Sequence, residues 1–246
     1  MIAPRYLSRA PIKEALIDIR VTVGEGISAD ALDAKYSLFA AEYPQKDELT
    51  SGLVEVRFEK DSSASAKTMQ NPVGYRYTSI DKKRVVQFRT DGFTFSRLEP
   101  YVTWEEMKGA ATELWKVYAE VAKPSSITRV ATRFINVLNI PLPIKDFRDF
   151  ITAPPNVPKD LPQGIASFLT RLIIHEPMIK ADCIITQALE GTAEGFAPIV
   201  LDIDVIANRA FDSTTEEHWA MLDKLRHFKN KVFFESITEN TAELFQ

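Results

Sequence analysis

Apolar and polar residues alternate from Pro11 to Val23, "PIKEALIDIRVTV". Ala15, Ile17, Ile19 and Val21 fall on one side and Glu14, Leu16, Asp18 and Arg20 on the other, the period of a half-buried strand. After Gly24-Glu25-Gly26 the spacing changes. Ser28 is placed to cap a helix from about Ala29 to Glu42, with Leu32, Tyr36 and Phe39 on one face, and Pro44 stops it. Period two then returns. "GLVEVRFEK" sets Val54, Val56 and Phe58 against Glu55, Arg57 and Glu59. "DSSASAK" reads as a polar loop. "VGYRYTSID" and "RVVQFRTDGFTFSRL" form a hairpin turning at Asp81-Lys82-Lys83, and Asp91-Gly92 gives a second turn. Thr103-x-x-Glu106 is a capping box, followed by a helical stripe of Trp104, Met107, Ala111, Leu114, Trp115, Tyr118 and Val121.

The second half reads in a similar order. "ITRVATRFINVLNI" predicts a strand ended by Pro141 and Pro143, and Asp146–Phe150 a short helical turn. Gln163 to Ile174 is expected to be helical. "MIKADCIITQAL" and "APIVLDIDVIA" predict strands. Ser213-x-x-Glu216 reads as a second capping box, opening a helix over Thr214–Lys231 with Trp219, Leu222, Leu225 and Phe228. The class is therefore α+β: a mixed or antiparallel sheet with helices packed on one face. The order suggests two similar halves, 1–124 and 125–246, each strand-helix-strands-helix, related by internal duplication and able to pack as one domain.

The stretch "LDKLRHFKNKVFFESITENTAELF" (Leu222–Phe245) closes the chain. Lys224, Arg226, Lys229 and Lys231 lie in the C-terminal part of its helix, where cations suit the negative helix end. The triplet Val232-Phe233-Phe234 predicts docking into the core. Both features fit a structural lock.

Composition narrows the classes of function. The chain has 246 residues, 45% hydrophobic and 26% charged, with net charge −4. That balance speaks against a dedicated nucleic-acid binder. No apolar run is long enough to span a membrane. The first residues lack a secretory core, and a single cysteine, Cys183, fits a reducing, cytoplasmic setting. No nucleophile elbow, Walker loop or dinucleotide fingerprint is present. The histidines, His175, His218 and His227, are not spaced to share a metal, and Cys183 sits among strand residues as a small hydrophobe.

One feature is distributed. Arginines and acids share the polar faces of many strands, among them Arg57, Arg89, Arg129 and Arg133 with Asp202 and Asp204 of "VLDIDV". The four arginines are candidate ligand-binding residues. Asp202 and Asp204, two apart on one strand, are candidate metal ligands. The same residues would equally serve a wet sheet face laced with cross-strand ion pairs.

"PIKEALIDIR", "QFRTDGFTFSRLEPYVTWEEM", "RFINVLNIP", "LDIDV" and "LRHFKNKVFFESIT" resemble, in this order, a sporadically distributed bacterial family of proteins of about this length with no assigned activity. The resemblance implies a bacterial cytoplasmic protein and carries over no catalytic residues. Two functions follow as expectations. The first is a binding or scaffolding protein, homo-oligomeric and preferably dimeric, needing no cofactor, whose sheet face or inter-half groove holds a partner. The alternative is a metal-assisted enzyme, using Mg²⁺, on a phosphorylated or nucleotide-like substrate.

Overall fold

The computed structural model describes residues 6–24, 27–57 and 65–246, and only the backbone of 53–57 and 65–70. Glu25, Gly26 and much of "FEKDSSASAK" lie outside the described residues, as does the side chain of Arg57. The strands are β1 (Ile12–Thr22), β2 (Gln45–Arg57), β3 (Ser65–Thr78), β4 (Arg84–Arg89), β5 (Gly92–Leu98), β6 (Ser126–Pro141), β7 (Ser167–Glu176), β8 (Ala181–Glu190) and β9 (Phe196–Phe211). The helices are α1 (Ala29–Leu32), α2 (Trp104–Ala122), α3 (Glu217–Ser236) and α4 (Glu239–Glu243).

Among the described residues all nine strands join one sheet in the order β2-β3-β4-β5-β1-β6-β9-β8-β7, and every pairing is antiparallel. The α+β class is thus a single layer of strands backed by helices. Strands from both halves of the chain meet at the central β1–β6 pair. In each half the first strand is central, the last lies beside it, and the others step outward to an edge.

The alternation read in β1 is the alternation seen. Ala15, Ile17 and Ile19 are fully buried on the helix-bearing face, and Ile17 lies opposite Phe95 of β5 and Thr132 of β6. Aromatic residues of that face meet α2 directly. Phe93 lies 5.7 Å from Trp115, and Phe88 lies 5.4 Å from Tyr118, both edge to face, the arrangement that ring quadrupoles favour. Thr103 caps α2 by accepting the Glu106 N–H at 3.2 Å. α3 lies beside α2 on the same face, packed on β6 and β9. The Trp104 indole and Lys108 both donate to Asp223 of α3, at 2.8 and 2.7 Å. Among the described residues no helix is long and apolar enough to cross a membrane.

Four expectations need correction. The stretch Gln163–Ile174 is not helical: Ser167–Glu176 forms β7, paired with β8 from Ser167↔Glu190 to Glu176↔Ala181. Phe168, Leu169, Leu172 and Ile173 mimic helical spacing, but an edge strand exposed on both faces need not alternate, and ladder pairing decides. The second half accordingly lacks the first helix of the proposed repeat; a 3₁₀ turn at Phe147–Asp149 stands there instead. The helix expected over 29–42 stops at Leu32, with a separate 3₁₀ turn at Tyr36–Leu38. The Asp33 carboxylate leaves the helix to bind Tyr77 and Lys46, at 3.0 and 2.8 Å. Finally, Ser213 does not cap α3. Its hydroxyl donates to the Pro124 carbonyl at 2.8 Å, and α3 starts at Glu217 and runs through Val232-Phe233-Phe234 to Ser236.

The chain end does fasten neighbouring segments. Ile237 bridges Ile151, and Thr238 and Thr241 donate to the Asp149 and Phe150 carbonyls at 2.6 Å each. The Arg9 N–H reaches the Phe245 carbonyl at 3.0 Å.

Candidate functional site

Two regions gather charge. The first is the sheet face without helices. Asp18, at the middle of β1, is 7% exposed. Thr94 lies directly across from it on β5, and its hydroxyl donates to Asp18 Oδ1 at 2.7 Å. Arg129 of β6 donates to Asp18 Oδ2 at 2.6 Å, Arg89 of β4 to Oδ1 at 3.1 Å, and Arg20 of β1 to Oδ2 at 3.3 Å. Arg89 and Arg20 also bind Asp91. Gly92, beside Asp91, makes this crowding possible: a Cβ there would lie 2.4 Å from the Ile19 carbonyl oxygen. Further along β6, Arg133 forks onto Asp202 of the neighbouring β9, at 2.9 and 2.5 Å. This bidentate bond keeps the guanidinium pKa raised.

The predicted arginines therefore separate. Arg89 and Arg129 converge on Asp18, a hub that the strand pattern placed on this face without marking as a centre. Arg133 is held by Asp202. Arg57 is fixed only as a β2 backbone position. Asp202 and Asp204 do share a face of β9, but both oxygens of Asp202 belong to Arg133, so a cation would have to break that fork. Burial raises the pKa of Asp204, against the opposing charges of Arg129 and Arg133. Among the described residues no three His, Cys, Asp or Glu side chains gather as metal ligands do. Cys183 is fully buried and its thiol pKa is raised to about 12 by that burial. His218 lies between the rings of Trp115 and Trp219, at 5.5 and 5.2 Å, and burial lowers its pKa.

The second region is a cavity of about 390 Å³, within the size range of small-molecule sites. It lies between the two halves of the chain. One wall is the segment leading into β1 together with the β5–α2 connection; the other is the C-terminal half of α3. Its floor includes Asn136 of β6, whose amide donates to the Leu201 carbonyl at 2.9 Å. Phe233, Phe234 and Trp104 give it apolar sides.

Two cations one helical turn apart, Arg226 and Lys229, line this cavity. Lys229 is 6% exposed, and its Nζ stands 3.6 Å above the centre of the Phe134 ring. Tyr101 meets the same ring edge to face at 5.6 Å. Among the described residues neither Arg226 nor Lys229 has a carboxylate partner. Burial, followed by the charge of Arg226, lowers the Lys229 pKa to about 7. Burial holds the Tyr101 hydroxyl protonated far above neutrality, against the pull of Arg226. A ring face compensates a cation only in part, so the cavity has cationic surface left to spend on a ligand. Desolvated groups beside a cavity are characteristic of functional sites.

The sequence pattern groups Lys229 with Lys224, Arg226 and Lys231 as cations suited to the negative helix end. Of the three lysines, Lys229 alone is buried. The signal was the spacing. Leu222, Leu225, Val232 and Phe233 are buried, and Lys229 occupies the apolar register between them.

No family model matches this chain, and neither a curated protein nor a solved structure matches it.

Proposed function

We propose that the protein is a bacterial cytoplasmic binding protein that holds a small organic anion in the groove between its two halves. The observation that carries this reading is the pair Arg226 and Lys229, facing one cavity without a carboxylate partner among the described residues. A buried cation without a counter-charge is costly, and an anionic ligand removes the cost. The apolar walls favour an anion with a short carbon body over bare phosphate. On the open face, by contrast, the arginines already bind aspartates, which supports a structural role there over a metal-assisted enzyme. Thermal denaturation with lactate, benzoate and inorganic phosphate tests the reading. At about 100 times Kd a ligand of the native state adds roughly 2.7 kcal/mol. A carboxylate is expected to raise Tm in the wild type and not in Arg226→Met or Lys229→Met. A flat response to all three anions would overturn it.

The same reading includes a homodimer formed through β7. This edge strand exposes Leu169 by 73%, Leu172 by 56% and Ile173 by 59%, an open template for pairing. Antiparallel pairing with a second copy about Ile173 sets Leu172 against Ile174 of the other chain. It also brings Arg171 opposite His175, which hydrogen-bonds Asp182 at 2.9 Å, so a carboxylate receives the incoming guanidinium. Light scattering is expected to give a dimer for the wild type and a monomer for Ile173→Lys; a monomeric wild type would exclude this interface. The mirrored outward order of strands in the two halves further supports an ancestral duplication.

A further inference from the structure

Arg226 offers a carboxylate a charge that does not depend on pH, since a guanidinium stays charged in any protein environment. Lys229 is a different group. Its amine is enclosed, faces the cavity, and among the described residues meets an aromatic ring and no hydrogen-bonding partner. Among the described residues, the charged groups lining this cavity are Arg9, Glu99, Glu105, Arg226 and Lys229 itself. Arg9 is spent on the Leu244 and Gln246 carbonyls, and Glu99 on Lys13. Glu105 neighbours the Tyr101 hydroxyl. Nothing in this set fixes Lys229 as an ammonium. Burial lowers its pKa to about 7, so near neutrality the ammonium and the free amine are both populated. A ligand with a carbonyl carbon uses the amine as it stands.

We propose that Lys229 forms a reversible imine with ligands that carry a carbonyl next to a carboxylate, the 2-oxo acids, with Arg226 holding the carboxylate. The inference rests on the anion-binding reading of this groove and names its ligand class. The Nζ lone pair adds to the carbonyl carbon, and the carbonyl oxygen takes up a proton. The resulting carbinolamine loses its hydroxyl as water while the C=N bond forms, so the two amine protons depart with the oxygen. No oxidant or reductant takes part.

Reductive trapping tests this. The full chain is incubated with pyruvate or 2-oxobutanoate and cyanoborohydride, and its lysines are mapped by mass spectrometry. Lys229 is expected to be labelled at least tenfold faster than exposed Lys224 or Lys231, and labelling should fall at least tenfold in Arg226→Met. Lys229→Met, checked for folding by circular dichroism, should lose that adduct alone. Lysine 229 labelled no faster than the exposed lysines would overturn the imine. In that case lactate, which has the carboxylate without the carbonyl, separates the two readings. A lactate-induced rise in Tm that depends on Arg226 would leave the anion site standing, and its absence would remove both.

Discussion

The sheet's open face and the inter-half cavity are both rich in cations, and they treat them in opposite ways. On the open face Arg20, Arg89 and Arg129 share Asp18, and Arg133 owns Asp202. In the cavity Arg226 and Lys229 stand one helical turn apart and neither forms an ion pair among the described residues, although Glu105 lines the same cavity. Paired cations hold strands together and are satisfied as they stand. Unpaired ones lower stability and leave binding capacity. The contrast locates function where the fold has left electrostatics unfinished rather than where charged residues are most numerous.

The largest expected effect is at the hub. Asp18→Ala removes the acceptor of three guanidiniums on a nearly closed site, and breaking a buried pair in this way costs about 3–5 kcal/mol. Chemical denaturation measures it, and a loss below 1 kcal/mol would mean that the network is solvated and weak. The cavity predicts the opposite sign. Lys229 has a folded pKa near 7, below its unfolded 10.5. Between these values the unfolded chain binds more protons, so stability rises with pH across that window, and the full cost is present below pH 7. Lys229→Met is therefore expected to gain about 1–4 kcal/mol at pH 6.5, with the gain shrinking toward pH 10. The smallest effect is at β9. Arg133 is 41% exposed at its side chain, so Asp202→Asn should cost only about 1 kcal/mol. Repeating that melt with Mg²⁺ and nucleotides sharpens the comparison. No shift is expected; a rise abolished by Asp202→Asn would make the open face a site as well.

The sequence was most informative where periodicity and burial agree. The alternation of β1, β4, β5 and β9, the capped stripe of α2 and the polar strand faces were all readable, because one side of each element meets the core. Reading failed where an element has no single buried side. β7 lies at an edge, and its Leu-Ile-Ile run obeys neither period cleanly. α3 carries both Trp219 and Lys229 inward, and the charge pattern at the helix end gives no sign that this lysine is buried. Asp18 was visible as a polar strand residue, but its three arginine partners come from β1, β4 and β6, and no local pattern encodes that meeting. The cavity is harder still, since its walls are contributed by segments far apart along the chain, the approach to β1, the β5–α2 connection and the C-terminal half of α3.

Proton linkage tests the central claim most directly. Calorimetric titration with lactate at pH 7.5, in buffers of different ionisation enthalpy, counts the protons exchanged when the anion binds. Because an anion raises the pKa of a lysine that burial has lowered to about 7, the wild type is expected to take up protons and Lys229→Met to take up none. Binding with no proton uptake in the wild type, or with the same uptake in the variant, would contradict the assignment of Lys229 to the site.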